Sequence, residues 1–471
     1  MYLLQPESLS HMKISFRNLS RQNPIKLLAL LALMLLTVLY TVPWTVRNSL
    51  EKEYSGLDFH GYWYAGHFIR QGVNSYAAIV NDPNPNYWDP QIPGSGNPHL
   101  PGGAESSLEL PIYYLDGYVA DAHPIAQAMI VVPAVTAPLN ILMGLFSWFS
   151  WQTARLIWMI LNLIFAALIP WLALRLIREP NQLKLVDKLI FAFVFYNIYG
   201  LRQSIVVGQQ TLICLLLLIL ALLFRKNWVI SGILLGFGIS KYSVGLPVFL
   251  YLLLQRKNRT IMVSILVQAI AVLLLIPFKS GSPLNTIMAY LKVIAVNYSQ
   301  DGVHLAARFT DGAMPAILSV IVLIVLILMM VRQYLPRRIL KPEESIVGLN
   351  DLNLITLAVF LVAYHRIHDM SFMIFFLLIV ITEIVKPGDF LFNRTSSLAL
   401  IFITMIIVPL LLFPAVPGQV FVRFEIFKDM PVDWISAESV STIALILMFA
   451  MSVWFQLKLP FRADVPAGSV K

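Results

Sequence analysis

Long apolar runs separated by short polar turns dominate this chain, and their lengths set the first reading. A helix needs about 20 apolar residues to cross a hydrocarbon core of roughly 30 Å. The first such run covers 25–46, and Lys13, Arg17, Arg21 and Lys26 precede or open it. Basic residues on that flank predict an uncleaved first span that enters from the cytoplasmic side. The polar stretch 47–123 then falls outside, and its cluster DPNPNYWDPQIPGSGNPHLPGG can continue neither helix nor strand. The run 125–148 is broken by Pro133 and Pro138 and is expected to dip into the outer leaflet without crossing. The run 155–177 then crosses inward and delivers Arg175, Arg178, Lys184 and Lys188 to the cytoplasm.

Later runs alternate under the same rule: 189–201, 211–224, 228–240, 244–254, 261–278, 314–331, 352–364, 372–385, 398–413 and 440–457. The expected fold is an all-α polytopic membrane protein with about twelve transmembrane helices. Cytoplasmic tails, 1–24 and 461–471, flank a single transmembrane domain over 25–460. Within it, 47–152 forms the first extracytoplasmic loop, with interfacial or re-entrant helices.

Composition agrees. Hydrophobic residues are 58% of the 471, charged residues 13%, and mean hydropathy is +0.75. Soluble domains carry about 25% charge, so a soluble enzyme, a disordered chain and a disulfide scaffold are excluded. Cys214 is the sole cysteine, so no intramolecular disulfide exists. The net charge of +9 is read as topology-setting loops, not as a nucleic-acid surface. Phosphate loops, dinucleotide fingerprints, nucleophile elbows and zinc-protease helices have no match in the sequence.

Ionisable residues near apolar spans are functional candidates. Asp58, His60, Arg202, Lys241, Arg308, His365, Arg366, His368 and Asp369 all map to the outer side, although they come from distant parts of the chain. Asp58 opens an aromatic-rich stretch with Phe59, Tyr62, Trp63, Tyr64 and Phe68, which reads as an interfacial helix with its rings at headgroup depth. Its carboxylate serves either as a helix cap or as a catalytic group. Lys241 stands between two apolar half-length runs, as a snorkelling lysine or as a cation that holds a phosphate. Gly208-Gln209-Gln210 reads as a tight turn. His365 and His368 share a helical face beside Asp369, and charge and hydrogen bonding in a cavity are favoured there over a metal.

At these residues the chain resembles the polytopic glycosyltransferases of the GT-C architecture, most closely glycosyltransferase family 87, which is similar to membrane mannosyltransferases that use polyprenyl-phosphate mannose. Five stretches carry the likeness: Asp58-Phe59 with Tyr62, Tyr64, Ala65, Gly72 and Tyr76; His123-Pro124 with Pro133, Pro138 and the 158–162 stretch; Gly208-Gln209; Gly232, Gly236, Lys241, Leu246 and Pro247; and Asn297-Tyr298-Ser299 with Arg308. The resemblance implies that Asp58 takes the proton of an acceptor hydroxyl. It implies that Lys241, Arg202, Arg308 and Arg366 surround the leaving phosphate, and that His60, Tyr62, Gln209, His365, His368 and Asp369 line the substrate. It implies no metal and no cofactor.

The function expected on this basis is transfer of a sugar, mannose by family likeness, from a polyprenyl-phosphate donor to a lipid or glycan acceptor. The expected partners are these substrates and membrane lipids, with no nucleic acid. The expected location is a bacterial plasma membrane, with the site facing outside. A transporter or flippase of a lipid-linked glycan is the alternative, and a non-catalytic membrane scaffold is a third class.

Overall fold

In hydrocarbon a backbone must satisfy its own N–H and C=O groups, and a helix does so within one segment. The computed structural model describes residues 24–51, 56–70, 136–177, 183–277, 348–363, 366–385 and 437–458, with short pieces between 283 and 329. Among the described residues all regular structure is helical and no strand occurs.

The first helix runs as α1 (Pro24–Leu36), a π-helical turn (Thr37–Thr41) and α2 (Val42–Glu51). Leu28, Leu31, Val38 and Leu39 on its surface are more than half exposed. Such a stripe is costly in water and suits contact with lipid tails. A short break leads to α3 (Leu57–Arg70). The chain is next described at α4 (Ala137–Gly144) with a 3-10 turn (Leu145–Trp148), which pack on α3. Together these two pieces are about 18 Å long or little more, too short to cross the core. Residues 71–135, with the cluster DPNPNYWDPQIPGSGNPHLPGG, lie outside the described residues.

Helix α5 (Trp151–Leu174) and the stretch Lys26–Leu50 are long and apolar enough to cross a membrane singly. A third crossing arises if α6 (Leu185–Asn197) and α7 (Tyr199–Val207), bent by 53°, form one span. The sequence offers neither Pro nor Gly at this bend. It occurs because Ile198 takes an extended ψ of 126°, while Asn197 is held sideways by the first helix: its Nδ2 donates to Thr37 Oγ1 at 2.7 Å, and its Oδ1 accepts from Thr41.

The next helices are short: α8 (Thr211–Leu223), α9 (Trp228–Gly238), α10 (Tyr242–Leu254) and α11 (Asn258–Leu274). Gly232 and Gly236 let α9 lie directly on α11, since a Cβ at either position would stand within 2.7 Å of Val263 or Val267. This is the small-residue spacing of closely packed membrane helices. Helix α12 (Leu349–Val362) buries every residue from Asp351 to Leu361 and so lies inside the protein, not on its rim. A 3-10 turn (Ile367–Met373) leads into α13 (Ile374–Val385), and α14 (Ala437–Lys458) packs against α12. Of the twelve expected crossings, 398–413 lies wholly outside the described residues, and 314–331 is described mainly over 320–329.

Candidate active site

Helix α3 brings Asp58 to the end of the bundle opposite Lys26. Its position is fixed by rings. Phe59 stacks on Trp158, with centroids 5.3 Å apart and planes 8° apart, and on Trp151 at 5.9 Å, while Phe146 meets it edge-on at 5.4 Å. Phe59, Tyr62 and Trp63 are all buried in the core. Of the rings expected at headgroup depth, Phe59, Tyr62 and Trp63 therefore face protein, and the side chains of Tyr64 and Phe68 lie outside the described residues. Burying each ring contributes about 1.5–3 kcal/mol, and good ring pairs add about 0.5–1.5 kcal/mol.

The backbone before α3 is tied to α7, as Gly56 N–H donates to Val206 C=O at 2.8 Å. Helix α7 ends at Gly208, whose φ of +73° is left-handed, a conformation that costs a residue with a Cβ. A Cβ there would also come within 2.6 Å of Phe59. Trp158 Nε1 donates to the Gly208 C=O at 2.8 Å. The tight turn expected at Gly208 is thus present, and it sets Gln209 against Asp58.

Gln209 Nε2 donates to Asp58 Oδ2 at 2.5 Å. Its Oε1 accepts from Lys241 Nζ at 3.0 Å. Lys241 sits at the turn between α9 and α10, where its C=O accepts from Val244 and Gly245 N–H. An ammonium has three donors, and the other two go to Thr211 Oγ1 at 2.8 Å and Asp369 Oδ1 at 2.6 Å. Lys241 is therefore neither a snorkelling side chain nor a cation with free donors. It is the hub of a buried ion pair.

Asp369 is positioned from both sides. Thr211 donates to its Oδ1, and Arg366 N–H donates to its Oδ2 at 3.3 Å, capping the 3-10 turn. Gly200 lets this turn approach α7, for a Cβ there would stand 2.4 Å from the Ile367 oxygen. Ser204 Oγ then donates to the His368 C=O at 2.8 Å, and His368 Nε2 lies 3.9 Å from Asp369 Oδ1. Burial tends to raise the Asp369 carboxyl. The Lys241 and His368 charges, with hydrogen bonds from Lys241 and Thr211, outweigh it and hold the group well below the carboxylate range.

Asp58 is shifted the other way. Burial pushes its carboxyl above the ordinary value; the Arg366 charge, the Gln209 hydrogen bond and the Lys241 charge oppose this, and Asp369 adds to the rise. Asp58 as a whole residue is only partly buried, yet burial of its carboxyl group is the largest cause of the rise. The half-buried Arg366 is the leading electrostatic partner of Asp58.

Of the residues singled out from sequence, Asp58, Gln209, Lys241, His368, Asp369 and Arg366 meet in one cluster. Arg202 has a different setting: its guanidinium lies 5.2–5.4 Å from the ring centroids of Tyr40, Trp44 and Tyr199, which joins α7 to the first helix. Arg308, His365 and the side chain of His60 lie outside the described residues. Sequence reasoning missed Thr211 and Ser204. Thr211 carried a faint signal as the last polar residue before an apolar run, whereas Ser204 carried none.

A model of glycosyltransferase family 87 matches residues 138–380, 243 of the 471 residues. The fold and cluster are accordingly those of a membrane glycosyltransferase. The chain belongs to glycosyltransferase family 87. Arg202, Gln209, Lys241, Arg366, His368 and Asp369 fall within the matched stretch, and Asp58 precedes it. Comparison with curated proteins and with solved structures gave no match.

Proposed function

We propose that this glycosyltransferase moves a sugar from a polyprenyl-phosphate donor to a lipid or glycan acceptor, with Asp58 as general base. A sugar hydroxyl is a poor nucleophile until its proton has a destination. Asp58 takes that proton as the acceptor oxygen bonds to the anomeric carbon. The bond from that carbon to the phosphate oxygen breaks, and the electron pair leaves with the polyprenyl phosphate. Direct attack inverts the anomeric carbon. The departing anion requires positive charge more than it requires a proton. Arg366 supplies the nearest such charge, Arg308 is a further candidate, and Lys241 contributes its field from behind Gln209.

Mannose follows from the resemblance, as do an extracytoplasmic site and a bacterial plasma membrane. His60, His365 and His368 are proposed to line the sugar. No metal or other cofactor enters this scheme.

The observation that carries the reading is a partly buried Asp58 whose carboxylate has a raised pKa, is held by an amide and is faced by Arg366. A raised pKa makes a carboxylate a stronger base near neutrality. Transfer should fall as pH drops through that value, because the protonated acid cannot accept the hydroxyl proton.

Asp58→Asn should reduce transfer by about 10²–10⁴-fold. It should not destabilise the fold, because ionised Asp58 is disfavoured by burial and the amide carries no charge. Mass spectrometry of membrane glycolipids from cells with wild-type, variant or no protein reads the first effect, and melting in detergent reads the second. An unchanged glycolipid in the variant overturns the assignment of Asp58.

A further inference from the structure

Gln209 has one amide and two different neighbours. On one side stands a carboxylate, which only accepts. On the other stands an ammonium, which only donates. The amide satisfies both in a single orientation, with its carbonyl toward Lys241 and its NH₂ toward Asp58. Lys241 is in turn fixed by Thr211 and Asp369, and Asp369 by the cap it forms on Arg366 N–H. The order of contacts is Asp369, Lys241, Gln209, Asp58, running from a fully buried residue to a partly buried one.

We propose that Lys241 and Asp369 are positioning residues: their ion pair locks the Gln209 amide in the one flip that donates to Asp58, and so sets the basicity and direction of the catalytic carboxylate. This rests on Asp58 being the base. It assigns the buried pair a task different from holding phosphate, since all three Lys241 donors already have acceptors within the protein.

Several charges face Asp58 and must be separated from this effect. Arg366 and Asp369 come from the 3-10 turn and its cap, with His368 beside them. Lys241 comes from the turn between α9 and α10. Arg155 of α5 lies nearby without being among the charges acting on Asp58: its side-chain carbons are 3.1 Å from the Cβ position of Gly56. The side chain of His60, two residues further along α3, lies outside the described residues. A through-space role for Lys241 and Asp369 differs in sign between them: the first lowers the Asp58 pKa and the second raises it. Removing both takes away two fields of opposite sign, while a released amide loses its donation to Asp58 altogether.

The test is an infrared pH titration of Asp58 in the full-length protein in detergent, with its carboxyl band assigned by difference from Asp58→Asn. The variants are Lys241→Met/Asp369→Asn, Gln209→Leu and the triple combination. The double variant leaves no uncompensated buried charge. Lock and donation together predict that its Asp58 titration moves up by about one pH unit, the scale of a hydrogen bond to a charged acceptor. Gln209→Leu should move it by a similar amount, and the triple variant should show no more than Gln209→Leu alone.

An unmoved titration in the double variant overturns the proposal, as does a fully additive shift in the triple. Should the double variant fail to fold, Gln209→Leu removes no charge and still decides whether the amide sets Asp58. If Asp58→Asn retains glycolipid synthesis, the functional reading falls while the titration still judges the lock.

Discussion

Two ion pairs of nearly equal length tie together helices far apart in the sequence. Lys26 Nζ meets Asp187 Oδ1 at 2.7 Å, and Lys241 Nζ meets Asp369 Oδ1 at 2.6 Å. Residues 26 and 58 are separated by most of a helix running from 24 to 51, about 40 Å of rise. Distance does not distinguish the pairs, but their surroundings do. The Lys26 side chain is 32% exposed, the Lys241 side chain 11%. Lys26 joins α1 to α6 and its cation remains open to solvent. Lys241 divides its donors among three acceptors, one of which leads to Asp58. The first pair is a staple between helices, and the second is built into a site. An ion pair in a membrane protein thus takes its meaning from what else its atoms touch.

The largest expected effect is on Asp369→Ala. It strands the Lys241 ammonium in the interior, and removal of one partner of a buried pair costs about 3–5 kcal/mol. The loss should appear as a lower melting temperature in detergent and as lost transfer. An unchanged melting temperature would show that the Lys241 charge finds water. Because the folded Asp369 carboxyl lies below its ordinary value, the pair's stabilisation is present above that value and fades as pH falls further. Melting followed from neutral pH downward should show this decline, and it should vanish in Asp369→Asn.

Next comes Gly208→Ala, which places a Cβ at φ +73° and against Phe59. A cost of about 1–3 kcal/mol is expected, with transfer falling more steeply than stability because Gln209 follows directly. The smallest effect is expected for Lys26→Met. The pair it breaks is one-third exposed on the lysine side, so about 1 kcal/mol or less is lost, and transfer should be kept. A loss of transfer in well-folded Lys26→Met would erase the distinction between the two pairs.

The apolar pattern located helices well where polar turns bound them. The expected runs 211–224 and 228–240 correspond to α8 (Thr211–Leu223) and α9 (Trp228–Gly238). Within the expected crossing 189–201 it gave no sign of the bend at Ile198, where Asn197 reaches Thr37 and Thr41 about 160 positions away. It also gave no sign that Phe59 and Trp63 of α3 are buried against other rings. Phe59 and Trp63 look the same in sequence whether they meet headgroups or other rings, and only the approach of Trp151 and Trp158 decides between those partners.

The candidate site was legible as a set of residue types and illegible as a network. Charge in an apolar chain is conspicuous, so Asp58, Lys241, Arg366 and Asp369 stood out at once. Their pairing did not, and neither did the placement of Arg202 among Tyr40, Trp44 and Tyr199. The sequence alone determined that this chain is helical and membrane-embedded, because its shortage of charge leaves no other solvent for its surface. Only the tertiary structure decided which carboxylate meets an amide and which is sealed with a lysine, because the energy of a buried charge depends on partners contributed by helices far apart along the chain.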